Sequence, residues 1–260
     1  MFTLFNNKRL FHPDTVRYIT QLASARPNFV HQKRIDEFVL GLKQDNNWSH
    51  FDRLWIFAHP VQALSLVSLV NPTSTQITEV NSPAWVANQG YTSNGTTSYL
   101  NSNFIPSTHG VNYVLNSGSV GAYTRTNIAI NGVEVSCYIG GNRINLSARM
   151  ATNVFLGNIN ADTASTLPSV DSRGLFAAAR TASNLTTGYR NGSSFGTIAD
   201  VSTTLPTIAL YILSQNNNGT PGSFSTREIS MVFIGSGNIN QLKLFLRIER
   251  YMDQLNSGVM

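Results

Sequence analysis

Along the chain the spacing of apolar positions changes twice. Up to about residue 50 it is helical. Pro13-Asp14 opens a short helix with Val16, Ile19 and Leu22 on one face, and Pro27-Asn28 breaks it. A second helix is expected from Phe29 to Lys43, with Ile35, Phe38, Val39 and Leu42 on its apolar side, before "KQDNNW" ends it in turn residues. From "FDRLWIFA" (Phe51 to Ala58), the first buried strand, to about residue 236 the period is two. The end, "NINQLKLFLRIERYMDQL", returns to helical spacing through Leu242, Phe245, Leu246, Ile248, Tyr251 and Met252, with Asn238 as candidate N-cap.

Within the period-two region, turn signals recur at Asn94-Gly95, Gly118, Asn131-Gly132, Gly140-Gly141, Asn191-Gly192 and Asn218-Gly219. Between them lie strand-like runs, most clearly "AYTRTNIAI", "GVEVSCYI", "GLFAAARTA", "TIALYILSQ" and "REISMVFIG". Frequent turns between β-branched and aromatic runs predict an antiparallel two-sheet sandwich over about residues 51–237, not βαβ units. Asn131-Gly132 and Asn191-Gly192 read as type I′ hairpin turns, whose two central residues both take positive φ. The chain thus divides into residues 1–50, an arm with helices, and 51–260, a sandwich with a closing C-terminal helix.

Charge changes the picture in one respect. Charged residues are 12% of the chain, about half the usual share, and Asn, Ser, Thr and Gly replace them. So little charge weakens the defence against self-association, and a homo-oligomer is expected. All four lysines lie near the ends, and Val61 to Thr226 holds six arginines and five acids. The first sixty residues carry eight basic residues against five acids, interrupted by apolar positions at helical spacing. That pattern fits amphipathic helices with a solvated face, so no nucleic-acid partner is expected. No run reaches transmembrane length, and the N-terminus lacks a secretory signal, which implies synthesis in a cytoplasm and no membrane partner. Phe2, Leu4, Phe5, Leu10 and Phe11 are too many apolar residues to leave in water and form a candidate docking segment.

Candidate chemistry is sparse. Cys137, the single cysteine, excludes an internal disulfide, a CxxC redox site and a cysteine zinc site, and it reads as a small buried hydrophobe. Glycoside cleavage needs two carboxyl groups close together, and Glu79, Glu134, Asp162, Asp171 and Asp200 are widely spaced. Glu134 reads as solvent-facing or arginine-paired. His59 and His109 have no serine motif beside them. "NINAD" (Asn158 to Asp162) is a poor calcium cluster. No catalytic residue, metal or cofactor is expected. Glycan binding fares better, since aromatics can stack on sugar rings while amides reach the hydroxyls. Trp85, Tyr91, Tyr123 and Tyr189 with Asn216, Asn217 and Asn218 are the candidate contacts.

Several stretches carry a resemblance. "GYTSNGTTSYLNSNF" (Gly90 to Phe104), "RTASNLTTGYRNG" (Arg180 to Gly192) and "ALYILSQNNNGTPGSFSTREISMVFIGSGN" (Ala209 to Asn238) are similar to strand pairs of concanavalin A-like and laminin G-like jelly rolls. With "FDRLWIFA" and "DSRGLFAAARTAS", their order over roughly residues 35–255 resembles a group of bacteriophage and prophage virion structural proteins. The resemblance implies a mainly β, jelly-roll fold. It also implies a non-enzymatic virion component (capsid-decorating, head-fibre or tail-associated) that contacts other virion proteins and is located in the virion. The alternative is a module of the particle that binds a host-surface glycan.

Overall fold

The longest apolar runs belong to strands covered on both faces. In Gly174–Ala182, Phe176 and Ala178 face one apolar layer while Leu175 and Ala177 face another. In Ile229–Gly235, Val232 and Ile234 likewise oppose Met231 and Phe233. In Phe51–Ile56, Trp55 opposes Leu54 and Ile56. A sheet with two apolar faces needs a layer on each side. The computed structural model, which describes residues 10–22, 25–163 and 166–259, supplies them.

The N-terminal part gives α1 (Pro13–Ile19), α2 (Phe29–Gln44) and a 3-10 turn, Trp48–His50. One sheet contains β1 (Phe51–Ile56), β3 (Ala84–Val86), β4 (Gly90–Thr92), β6 (Gly118–Thr124), β11 (Gly174–Ala182), β12 (Leu185–Arg190), β13 (Ser193–Ile198) and β17 (Ile229–Gly235). Its order is β13-β12-β11-β6-β17-β4-β3, and β1 pairs with β17. The second sheet contains β2 (Thr78–Val80), β5 (Tyr99–Asn101), β7 (Val135–Ile139), β8 (Asn142–Ser147), β9 (Val154–Ala161) and β10 (Thr166–Pro168). It is completed by β14 (Tyr211–Ile212), β15 (Gln215–Asn217) and β16 (Thr220–Gly222). Its main path is β10-β9-β8-β7-β14-β5-β2. Pairing is antiparallel apart from β15 with β7. The fold is therefore the expected mainly β, two-sheet sandwich. Short helices α3 (Gln62–Ser65) and α4 (Pro106–His109) lie in its loops, and among the described residues no helix is long and apolar enough to cross a membrane.

Between the sheets, Trp55, Phe57, Tyr91, Phe176 and Val232 meet Leu100, Val135, Cys137, Leu146 and Phe155. Burial pushes the Cys137 thiol up to about 12, which removes it as a nucleophile at neutral pH. Two ion pairs are enclosed, Arg180–Asp200 at 2.7 Å and Arg227–Glu134.

The outer face of the first sheet is covered by α1, α2 and α5 (Gln241–Gln254). Asn28 caps α2 through His31 N–H, and Asn240, not Asn238, caps α5 through Lys243 N–H. Ile35, Phe38, Val39 and Leu42 are buried as expected, but Val16, Leu242 and Leu246 are exposed. The phase of α5 is set instead by Leu244, Ile248, Tyr251 and Met252. The two ends of the chain are joined directly: Asn240 N–H donates to Asn47 Oδ1 (2.8 Å), and Asn47 Nδ2 donates back to the Asn240 carbonyl (3.1 Å). Beneath this layer His31 and His59 pack edge to face, with ring centroids 4.9 Å apart. The Tyr251 hydroxyl meets His31 Nε2 at 2.9 Å and donates to the Ala58 carbonyl at 3.1 Å.

The turns divide. Asn191 and Gly192 have φ of 50° and 80° and close the β12–β13 hairpin as expected for type I′. Asn131 and Gly132 are not among the positive-φ residues, so that expectation is corrected: the segment is a loop between β6 and β7. Of the docking residues, Phe2, Leu4 and Phe5 lie outside the described residues. Leu10 is 67% exposed, and the Phe11 ring sits 5.7 Å from that of Phe29.

Candidate functional site

Strand β1 carries two charged residues in the middle of an apolar run, and its pairing with β17 is irregular there. Phe51 pairs with Gly235 and Arg53 with Ile234, so Asp52 is the extra residue of a bulge. A bulge bends its strand and re-aims side chains. Here Asp52 turns to the loop after α4, where its carboxylate accepts N–H groups from Val111 (3.2 Å), Asn112 (2.9 Å) and Tyr113 (2.8 Å). Asn112 Nδ2 donates back to the Phe51 carbonyl at 3.2 Å. The carboxylate is thus an anchor for the loop.

Arg53 lies over the Phe104 ring, its guanidinium carbon 5.3 Å from the centroid, and is 8% exposed. Its one hydrogen bond among the described residues runs from Nη1 to the Asp52 carbonyl, at 2.7 Å. Burial pulls this guanidinium below its ordinary pKa, and the Asp52 charge opposes that shift. His109 flanks the same phenyl ring at 6.0 Å, and its Nδ1 accepts the Ile105 N–H (2.9 Å), so in the neutral ring Nε2 carries the proton.

Trp48 also lines this space, held where the 3-10 turn leaves α2 for β1. Lys43 Nζ sits 4.8 Å from the centre of its ring system and 2.7 Å from Asp14 Oδ2, and Arg17 binds the other Asp14 oxygen at 3.1 Å. Trp48, Asp14, Arg17, Arg53 and His109, with Asn71, Thr108 and Asn112, line a half-open cleft of about 510 Å³. The cleft offers part of an indole, two kinds of neutral hydrogen-bonding side chain and the guanidiniums of Arg17 and Arg53. Among the described residues no group of three or more His, Cys, Asp or Glu is placed to hold a metal ion.

The candidate glycan contacts are not gathered in this way. Tyr91 and Tyr123 are fully buried, and Tyr123 donates to Glu249 at 2.8 Å. Trp85 is half-buried, with Nε1 donating to the Phe57 carbonyl at 3.1 Å, and Tyr189 packs against the helical layer. Asn216 is buried and bonded to Ala209 and Gly219, which leaves only Asn217 and Asn218 exposed. None of the seven lines the cleft. The residues that do were legible only as oddities, a tryptophan in a polar turn and an Asp-Arg pair inside a buried strand.

No family model matches the chain, and no curated protein matches it. Solved structures do. A Trypanosoma rangeli sialidase mutant with trans-sialidase activity aligns with a TM-score of 0.54 at 13% identity, over 85% of this chain and 39% of that one. The Trypanosoma rangeli sialidase aligns with a TM-score of 0.51 at 14% identity, over 88% and 40%. The chain therefore spans about two fifths of the length of these glycoside hydrolases. At such identity the likeness is one of fold. It nevertheless corrects the expectation of a purely structural, non-enzymatic virion component: the two chains it aligns with are sialidases, and the alignment takes in about two fifths of each. The alternative reading, glycan binding, is the one carried forward.

Proposed function

We infer that the chain is a carbohydrate-recognition sandwich and that the cleft between Trp48 and Arg53 holds the saccharide. The observation that carries this reading is the cleft's pairing of one half-exposed indole with the amides of Asn71 and Asn112 across a saccharide-sized space. Sugar rings present apolar C–H faces that stack on aromatic rings, while their hydroxyls need donors and acceptors at the edges. The jelly-roll likeness to carbohydrate-active chains supports the same class of ligand.

The role is binding, not hydrolysis. Glycoside cleavage typically uses two carboxyl groups roughly 5–10 Å apart, one of them able to give up a proton. In the cleft Asp52 is held by three backbone N–H groups, and Asp14 is held by Lys43 and Arg17. Both carboxylates are engaged in holding the protein's own chain. Titration of the full-length chain with a panel of oligosaccharides is expected to give saturable binding that Trp48→Ala weakens at least about tenfold and Trp48→Phe largely retains. If no saccharide binds, or if Trp48→Ala binds like the parent, the reading fails.

A further inference from the structure

Three arginines are buried among the described residues, and they are not treated alike. Arg180 bonds Asp200 through Nη2 (2.7 Å), Ile159 through Nε (2.7 Å), and the Ala182 and Asp200 carbonyls through Nη1 (3.1 Å each). Arg227 is matched by Glu134, with Nε on the Ile128 carbonyl (3.0 Å) and Nη2 on Arg149. Each charge is neutralised, and every guanidinium nitrogen has an acceptor. Arg53 has one carbonyl and the face of a phenyl ring. No carboxylate among the described residues lies within 4.0 Å of it, because the nearest in sequence, Asp52, is turned away to the loop.

A guanidinium removed from water loses solvation that opposite charge and hydrogen bonds normally replace. The planar fork of arginine also matches carboxylate and sulfate oxygens in pairs. Arg53 lines the cleft, and its Nε and Nη2 have no acceptor among the described residues and face the solvent that fills it. Its donors are therefore left for something that enters. The Phe104 ring fixes the plane of the fork from below, which limits the entropy lost when an oxyanion docks. We propose that Arg53 is an anion-binding residue and that the saccharide taken by this cleft carries a carboxylate or sulfate group seated on it. The proposal rests on the carbohydrate reading above and adds the charge of the ligand.

The test compares full-length chains in one calorimetric series. The probes are a galacturonic acid trisaccharide, its methyl-esterified neutral form and a sulfated trisaccharide of similar size. The parent is expected to prefer one of the acidic probes over the neutral one by at least about tenfold. The carboxylate and sulfate arms identify which group is read. In Arg53→Met this preference should fall close to one, and Arg53→Lys should restore part of it. The melting temperature of Arg53→Met should be little changed, since the only hydrogen bond lost among the described residues is the one to the neighbouring Asp52 carbonyl. That readout separates ligand binding from a structural role, which would lower it. Equal affinity for neutral and acidic probes overturns the anion proposal while the carbohydrate reading stands. If no trisaccharide binds, acetate and sulfate ions are tested by thermal shift. An Arg53-dependent shift then keeps the anion site and removes the carbohydrate reading, and no shift removes both.

Discussion

Glu134 and Arg227 are ninety-three residues apart in the chain and form an ion pair from which water is fully excluded. The carboxylate also accepts the Ala148 N–H at 2.6 Å and the Ser225 hydroxyl at 2.9 Å, so it ties the end of β8 and the loop before β17 to the start of β7. Glu134→Gln keeps the shape and leaves Arg227 charged and unmatched. A loss of about 3–5 kcal/mol is expected from urea unfolding. The double variant Glu134→Leu with Arg227→Met should recover most of it. Equal losses in the single and double variants would show that packing, not charge, sets the cost.

The buried histidines predict an acid limb. Burial holds His31 down to about 3, helped by the nearby His59 and Arg34, and holds His59 down to about 4. Both folded values lie below the unfolded value of about 6.5, so the unfolded chain binds more protons between these limits. Stability is fully present above about pH 6.5 and falls as the pH drops toward 4 and then 3. With one to two protons involved, the steepest slope is about 1.4–2.7 kcal/mol per pH unit. Urea midpoints from pH 4 to 8 test this. His59→Gln should flatten the curve, and an unchanged curve would remove His59 from the account.

Gly90, at the start of β4, is expected to tolerate no side chain. Its φ is 143°, and a Cβ would lie 2.0 Å from the Ile229 carbonyl oxygen. Neither the backbone of β17 nor a left-handed alanine can adjust cheaply. Gly90→Ala should lose about 2–4 kcal/mol in the same unfolding assay, whereas Gly219→Ala, with open space around its Cβ, should lose about 1 kcal/mol from φ alone.

Asn94 organises the polar loop between β4 and β5, with help from the Ser93 and Ser98 hydroxyls. Its Oδ1 accepts N–H groups from Thr96 (3.0 Å), Thr97 (2.9 Å) and Ser98 (3.0 Å). Asn94→Ala should lose about 1–2 kcal/mol, because water reaches this exposed loop and replaces part of what is lost. Asn94→Asp keeps the acceptor and should lose less. Thermal midpoints of the two variants decide the matter.

These features were legible to different degrees, for physical reasons. "GLFAAARTA" is β11 from end to end, and its two buried faces keep Leu175 to Ala179 apolar. "TIALYILSQ" looks similar, yet Leu213 takes a φ of 66° and turns the chain after two residues of β14. Its apolar character reports burial and not extension. "AYTRTNIAI" stops pairing at Thr124, where Arg125 leaves to meet Glu228 at 2.5 Å. Leu242 and Leu246 matched a helical stripe but face water, because Tyr251 and Ile248 fix the rotation of α5. The cleft was hidden more deeply. Trp48, Arg53 and His109 are brought together by one bulge and one carboxylate-anchored loop, and neither leaves a period in the sequence.

The reciprocal amide bonds between Asn47 and Asn240 bear on how this protein is born. They join segments 193 residues apart, and the apolar face of α2 shares its layer with α5. A ribosome adding roughly 5–20 residues per second needs about 10–40 seconds to pass from one to the other. Throughout that interval Ile35, Phe38, Val39 and Leu42 have no finished sheet to lie on and no second helix to pack against. The nascent chain must carry an uncovered greasy helix while nearly all of its strands are still being made, which makes this the stage at which chaperone capture or aggregation competes with folding.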